Sequence, residues 1–186
     1  SYARNITIVR HDGFVEVTLL NPWKQGRQLH RYILVPRADS ARVASPPEGT
    51  VVYTPVERSV VFSSPLCQLM VWLGAEKGIR GVCDAGYVHV PYVKQKLKEG
   101  VVADCGSGMS PSIERIVALR PQALFVSPFE NGSYGSVEQL GIPIIECADY
   151  METSALGRAE WMKFYGMLAG KEREADSLFA VVEHEY

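Results

Sequence analysis

The chain has 186 residues, 47% of them hydrophobic, which is enough to bury the core of one α/β domain with a small appendage. Its 19 Lys and Arg against 21 Asp and Glu give a net charge of −2 at pH 7, and this balance argues against nucleic-acid binding. Charged or glycine residues interrupt every apolar run before it reaches the ~20 residues that cross a bilayer, so we expect no membrane span.

The first 50 residues predict a β-hairpin extension. Residues 14–20 (FVEVTLL) and 29–35 (LHRYILV) are rich in strand-forming side chains, and Asn21, Pro22 and Gly26 between them favour a turn. The following SPPEG run at 45–49 interrupts regular structure. We therefore place a boundary near Thr50, with segment 1–50 before it.

From residue 51 onward, short apolar runs alternate with helical patterns. The predicted strands are 60–62, 79–82, 101–103, 123–126 and 142–145. The predicted helices are 66–75, 90–97, 111–119 and one around 137–140. Near-continuous apolar strands separated by helices indicate a mostly parallel sheet covered on both faces. We therefore predict an α/β fold in which residues 51–152 form a three-layer βα lobe.

The tail, residues 153–186, reads as a long helix. Trp161, Phe164, Tyr165 and Leu168 recur at helical spacing, so one stripe should be buried, while Gly166 and Gly170 are weak points. No strand follows this helix, so we expect it to lead into a further part of the protein beyond this sequence.

The loops that follow the predicted parallel strands are the candidate ligand site, because ligands of open α/β sheets bind beyond the carboxyl ends of the strands. These loops combine aromatic, small and polar residues, a mixture that suits a cleft for a large, partly flat ligand. The alternative is that their aromatic side chains only cover the edge of the core. The predicted ligand-binding residues are Ser64, Tyr87, Ser107, Gly108, Met109, Phe129, Glu130, Asn131 and Tyr134.

The four cysteines, Cys67, Cys83, Cys105 and Cys147, form no Cys-x-x-Cys pair, which excludes a zinc ribbon or a thioredoxin-type motif. We expect them to be free and buried. Three of them nevertheless follow predicted strands, so one alternative is a metal-dependent enzyme, lyase-like or chelatase-like, that uses Cys83, Cys105 and His89.

A further alternative is a carrier of free Mn or Zn, for which this sequence offers His89 and Glu130 at the cleft. We consider both metal alternatives weaker than a binding protein and predict neither a metal-ligating residue nor a resident cofactor.

Gly106-Ser107-Gly108 matches no familiar catalytic or nucleotide motif. It belongs to no G-x-G-x-x-G run, no Gly-Lys-Ser/Thr follows it, and it is one residue shorter than a G-x-S-x-G nucleophile elbow. We therefore predict no catalytic residue and no enzyme.

Several blocks in order resemble the periplasmic substrate-binding proteins of ABC importers, of the helical-backbone, class III type that carries cobalamin and ferric siderophores. The resemblance covers residues 58–176 and is carried by the blocks 58–64, 73–76, 79–82, 112–124 and 140–143, of which 112–124 (SIERIVALRPQAL) is the most telling. Segments 21–23 and 157–161 are similar to a Bacteroidetes-type branch of that family.

This resemblance implies that the chain is an amino-terminal lobe whose tail begins the interlobe helix, the second lobe lying beyond it. It implies capture of cobalamin, haem or a ferric siderophore between two lobes, and delivery to ABC permease subunits in the inner membrane. Glu114 would dock on the permease, although a Glu in the first turn also stabilises a helix N-terminus. The implied location is the periplasm, with a lipid anchor to the cell envelope as an option for the full-length protein.

Overall fold

The computed structural model describes residues 1–130 and 132–186, and the chain divides into two compact units. The terminal unit comprises Ser1–Val56 together with Ala148–Tyr186, and the central unit comprises Glu57–Cys147. These units differ from the three consecutive segments 1–50, 51–152 and 153–186 expected from sequence, because the tail packs with the first 56 residues. The assignment of those three segments as domains of the whole protein stays a prediction.

The chain begins with five strands, alternates strands and helices in its middle part, and ends with three helices. The strands are β1 (Ile6–Arg10), β2 (Val15–Leu20), β3 (Gln28–Pro36), β4 (Thr50–Thr54), β5 (Ser59–Val61), β6 (Ile79–Val82), β7 (Ala103–Asp104), β8 (Gly106–Ser107), β9 (Ser110–Pro111), β10 (Ala123–Val126) and β11 (Ile144–Glu146). The helices are α1 (Ser64–Trp72), α2 (Pro91–Glu99), α3 (Ile113–Ala118), α4 (Ala155–Glu160), α5 (Met162–Ala169) and α6 (Glu172–Glu185), and single 3-10 turns join several of them. No helix in the described part of the chain has both the length and the apolar character needed to cross a membrane.

The terminal unit contains a four-stranded sheet in the order β1-β2-β3-β4. Strands β2 and β3 are antiparallel, which confirms the predicted hairpin, and Asn21 forms its turn by accepting the N–H groups of Trp23 and Lys24 at 2.9 and 3.0 Å. Strand β1 extends the hairpin antiparallel to β2, while β4 lies parallel to β3. The hairpin is therefore the middle of a larger sheet.

The tail is helical, as predicted, but it is three helices rather than one long helix. The chain turns at Trp161 between α4 and α5, and at Gly170, which has φ +71° and ends α5 in the left-handed conformation. The predicted stripe is confirmed, since Trp161, Phe164, Tyr165 and Leu168 are buried. The Phe164 ring lies 5.6 Å from that of the fully buried Tyr32 on β3, so α5 covers one face of the sheet.

Two glutamates hold the first residues of the chain within the terminal unit. Glu160 Oε1 accepts the N–H groups of Tyr2 and Ala3 at 2.9 and 2.8 Å. The carboxylate of Glu152, which is 3% exposed, accepts the N–H groups of Arg4 and Asn5 and the indole N–H of Trp161, all within 3.0 Å. Five N–H groups are thereby satisfied by two side chains.

The central unit is built on a five-stranded sheet in the order β11-β10-β5-β6-β7, and every pair of neighbours is parallel. This confirms the predicted α/β class and parallel sheet. Beneath the carboxyl ends of the strands, the core cluster contains Val60, Cys83, Cys105, Ile116, Leu124 and Val137.

The strand order of the central sheet defines where a ligand can enter. From β5 the chain proceeds to β6 and β7 on one side, and then returns to β10 and β11 on the other. The connections leaving β5 and β10 therefore diverge, which opens a crevice between the carboxyl ends of these two strands.

Candidate functional site

A groove of about 500 Å³ lies at this crevice, within the size range of small-molecule sites. Phe62 follows β5, Val126 ends β10 and Ser127 follows it, so the groove begins where the strand order reverses. Its lining consists of Phe62, Asp84, Gly108, Met109, Ser110, Pro111, Val126, Ser127, Phe129, Ser133, Tyr134, Gly135, Ser136 and Val137. Apolar rings and small hydroxyl groups thus share one concave surface.

The groove brings together four of the predicted ligand-binding residues, namely Gly108, Met109, Phe129 and Tyr134. The structure places the other described ones outside the lining: Ser64 begins α1, and Tyr87, Ser107 and Glu130 are exposed nearby in sequence. Asn131 lies outside the described residues. Ligand binding by any of these residues stays a prediction.

One wall of the groove is the β8–β9 hairpin, whose tip is Gly108-Met109. Asp84, in the left-handed region at φ 53°, donates its N–H to Gly106 O at 2.8 Å, and its Oδ1 accepts the Gly108 N–H at 3.1 Å. A Cβ on Gly108 would lie 2.9 Å from Asp84 Oδ2, so any larger residue at this position would displace the carboxylate. The tip is thereby fixed, and it presents Met109 with 87% of its surface exposed.

The opposite wall contains Tyr134, which two carboxylates orient. Its phenol donates to Glu146 Oε1 at 2.6 Å, and its backbone N–H donates to Glu138 Oε1 at 2.8 Å. Glu146 is buried at the end of β11. A short hydrogen bond to a buried carboxylate is strong and directional, so the ring of Tyr134 is held in one place at the groove.

The cysteines belong to the core, as predicted: all four are free and buried. Burial, with smaller contributions from Cys105 and Asp84, raises the pKa of Cys83 to about 12. Burial and then Asp104 raise the pKa of Cys105 as well. Because the thiolate is the form that binds metal, Cys83 and Cys105 are poor ligands at neutral pH. His89 is exposed, and residues 1–130 and 132–186 contain no group of three or more potential metal ligands.

Glu114 is exposed in the first turn of α3. Ser112 caps this helix by accepting the Arg115 N–H at 3.3 Å. The carboxylate of Glu114 is thus presented on the surface next to a helix N-terminus that is capped by another residue.

Sequence reasoning missed Asp84, Phe62 and the hydroxyls of Ser110, Ser127, Ser133 and Ser136. Asp84 and Ser127 were inside the loops selected by the strand-end rule, so their position carried a signal. Their residue types gave no signal, because Asp and Ser are common in loops. Only the fold shows which of these residues face the same groove.

The sequence model described as periplasmic binding protein matches residues 68–186. Uncharacterized lipoprotein MJ0878 of Methanocaldococcus jannaschii is 32% identical over 141 residues, which are 72% of this chain and 34% of the relative. Uncharacterized lipoprotein MJ0872 of the same organism is 27% identical over 81% of this chain and 40% of its own length. The chain therefore spans a third to two fifths of these curated relatives.

Solved structures share the fold. A petrobactin-binding protein, YclQ, from Bacillus subtilis has a TM-score of 0.59 at 17% identity, covering 91% of this chain and 50% of that one. A periplasmic heme binding protein from Pseudomonas aeruginosa has a TM-score of 0.56 at 23% identity, covering 69% of this chain and 44% of that one. The resemblance to a Bacteroidetes-type branch stays a prediction.

Proposed function

The chain belongs to the periplasmic binding protein family, and from this premise we propose that it forms the amino-terminal part of the substrate-binding component of an ABC import system. Its ligand would be a cobalamin, a haem or a ferric siderophore, captured between two lobes and passed to a membrane permease. The role is binding rather than catalysis.

The groove at the strand-order reversal of the central sheet is the observation that carries this proposal. It is concave, it combines exposed apolar groups such as Met109 and Phe129 with serine hydroxyls, and its walls are fixed by the hydrogen bonds of Asp84 and Glu146. Fixed walls suit a binding protein, since a site that is ordered before the ligand arrives loses little entropy on binding.

The relatives support the class of ligand and the location. The solved relatives named above are described as binding petrobactin and heme. The curated relatives are described as lipoproteins, which supports a location at the outer side of a membrane with a lipid anchor. We therefore propose that the full-length protein is periplasmic or cell-surface attached.

The metal-dependent enzyme has no support in the described residues, because the Cys83 and Cys105 thiols lie in the apolar core and their pKa values are raised. The carrier of free Mn or Zn fares no better, since neither His89 nor Glu130 lines the groove.

Calorimetric titration of the complete two-lobed protein with cyanocobalamin, haemin and a ferric hydroxamate tests the proposal. We expect one chelate to bind at 1:1 stoichiometry with a micromolar or tighter Kd. Phe129→Ala should weaken that binding by about tenfold or more, the contribution of a buried aromatic contact. Trp72→Ala is the matched control, because Trp72 is an exposed aromatic of the same unit that lies outside the groove. Failure of all chelates together with tight binding of free Mn²⁺ or Zn²⁺ would overturn the proposal.

A further inference from the structure

The groove is one-sided in charge. Asp84 is the only charged residue among the described residues that line it, and no Lys, Arg or His is found in that lining. Two further carboxylates lie next to lining residues: Glu146 accepts the phenol of Tyr134, and Glu130 follows Phe129.

Two basic side chains lie near the strand ends, Arg115 on α3 and His89 after β6. Arg115 donates through Nη1 to Asp104 O at 2.8 Å, and His89 is exposed between two buried valines, Val88 and Val90. Neither side chain belongs to the groove lining. An anionic ligand in this groove would therefore lose hydration without gaining a cationic partner from the described residues of the lining.

The position of Asp84 is fixed by the fold. Its backbone is in the left-handed region, and its N–H donates to Gly106 O. Its carboxylate accepts the Gly108 N–H, and these interactions together hold the carboxylate against the hairpin tip. The carboxylate of Asp84 cannot rotate out of the groove without loss of the hydrogen bond from Gly108.

The remaining polar groups of the lining are neutral. The hydroxyls of Ser110, Ser127, Ser133 and Ser136 can each donate or accept, which suits carbonyl and amide groups of a ligand. Met109 and Phe129 offer contact to its apolar parts.

We propose that this groove selects neutral or positively charged metal chelates against anionic ones, and that Asp84 is the specificity-determining residue. The inference rests on the proposed function and narrows its ligand class. A ferric tris-hydroxamate, which has no net charge, fits this wall, whereas a ferric tris-catecholate with a charge of −3 does not. One carboxylate roughly 6 Å from a ligand charge in a water-like medium changes affinity about threefold per unit charge.

The test uses the complete protein with ferrichrome (neutral), ferrioxamine B (+1) and ferric enterobactin (−3) as probes, and Asp84→Asn as the variant. Asn keeps an acceptor for the Gly108 N–H and tolerates the left-handed conformation, so the substitution removes the charge with little effect on the hairpin. We expect the wild-type protein to bind the −3 probe at least tenfold more weakly than the neutral probe. Asp84→Asn should tighten binding of the −3 probe about thirtyfold, leave the neutral probe within twofold and weaken the +1 probe about threefold.

Asp104→Asn is the matched control. Asp104 is exposed at the same sheet edge and accepts the Gly106 N–H at 2.9 Å, but it does not line the groove. Its effect on the ratio of affinities should be smaller than that of Asp84→Asn. The selectivity alone would be overturned if the wild-type protein bound the −3 probe most tightly of the three. It would also be overturned if Asp84→Asn left the ratio of affinities for the neutral and −3 probes unchanged. Wild-type protein that binds none of the three probes would overturn the selectivity, and failure of cyanocobalamin and haemin as well would contradict the proposed function.

Discussion

Glu160 shows how one carboxylate can hold a chain segment at the residue scale. Its burial alone would raise its pKa, but the N–H groups of Ala3 and Tyr2, the hydroxyl of Ser1 and the charge of Lys163 outweigh burial, so its pKa lies below the ordinary 4.5. A group whose pKa is lower in the folded than in the unfolded protein stabilises the fold when it is ionised.

We predict that Glu160→Gln lowers stability at pH 7 and that this loss disappears in acid. The stabilisation is fully present above about pH 4.5, the unfolded value, and is lost as the pH falls through the lower folded pKa. Urea unfolding of both proteins at pH 7, 5 and 3 measures the difference. Glu48→Gln, at an exposed glutamate of the same unit, is the control and should lower stability at pH 7 less than Glu160→Gln. A difference that grows toward acid would contradict the assignment.

Individual site residues were only partly predictable. The strand-end rule selected loops that contribute Met109, Phe129 and Tyr134 to the groove. Tyr87 was selected by the same rule but is 78% exposed and outside the lining. The direction of a loop side chain depends on local backbone conformation, here the left-handed Asp84 just before the Ala85–Tyr87 turn, and this is not encoded in residue type alone.

At the scale of elements, two strands of the central sheet were predicted best, since β6 and β10 have the predicted bounds. Strand β10 is a continuous apolar run that is buried throughout, as a parallel sheet covered on both faces requires, whereas β6 contains the exposed Arg80. Strands β1 and β4 were not predicted, since both lie at the edges of a mixed sheet, where pairing with a distant strand decides the structure. The break between α5 and α6 was noted only as a weak point at Gly170, because its environment comes from a residue far away in the sequence.

Gly170 accounts for that break, and its replacement should be costly. A Cβ at this position would lie 2.8 Å from Pro55 Cβ, in addition to the cost of a left-handed conformation. We predict that Gly170→Ala lowers the free energy of unfolding by roughly 2 to 4 kcal/mol, measured by urea denaturation.

Gly26→Ala is the control for this substitution. Gly26 belongs to the same unit and has φ +78°, but a Cβ there would meet nothing within 4 Å. Gly26→Ala should lower the free energy of unfolding by only about 1 kcal/mol, which is the cost of the left-handed conformation alone. Equal losses in the two variants would show that the contact with Pro55 is unimportant.

At the scale of the whole molecule, the chain ends form one unit and the ligand groove belongs to the other. Glu114 belongs to the same unit as the groove but is not part of its lining, so its proposed docking role can be tested separately from the proposed ligand binding. The proposed docking role of Glu114 concerns the complete protein with its permease.

We predict that Glu114→Ala in the complete protein leaves ligand affinity unchanged but lowers cellular uptake of the labelled chelate severalfold, because a charged docking contact is lost. Calorimetry and uptake by cells that contain the permease measure the two effects. Glu99→Ala, at another exposed helical glutamate of the central unit, should leave uptake unchanged. Normal uptake in Glu114→Ala would count against the docking role.

The burial of all four cysteines also makes the protein suitable for site-directed fluorescence. The pKa values of Cys67 and Cys83 are raised to about 12, so a maleimide dye has almost no native thiolate to attack at pH 7. A single cysteine introduced as Met109→Cys would sit at the exposed hairpin tip and take the dye alone. Emission from that fluorophore would then follow the arrival of a chelate in real time, in a protein that keeps its native cysteines.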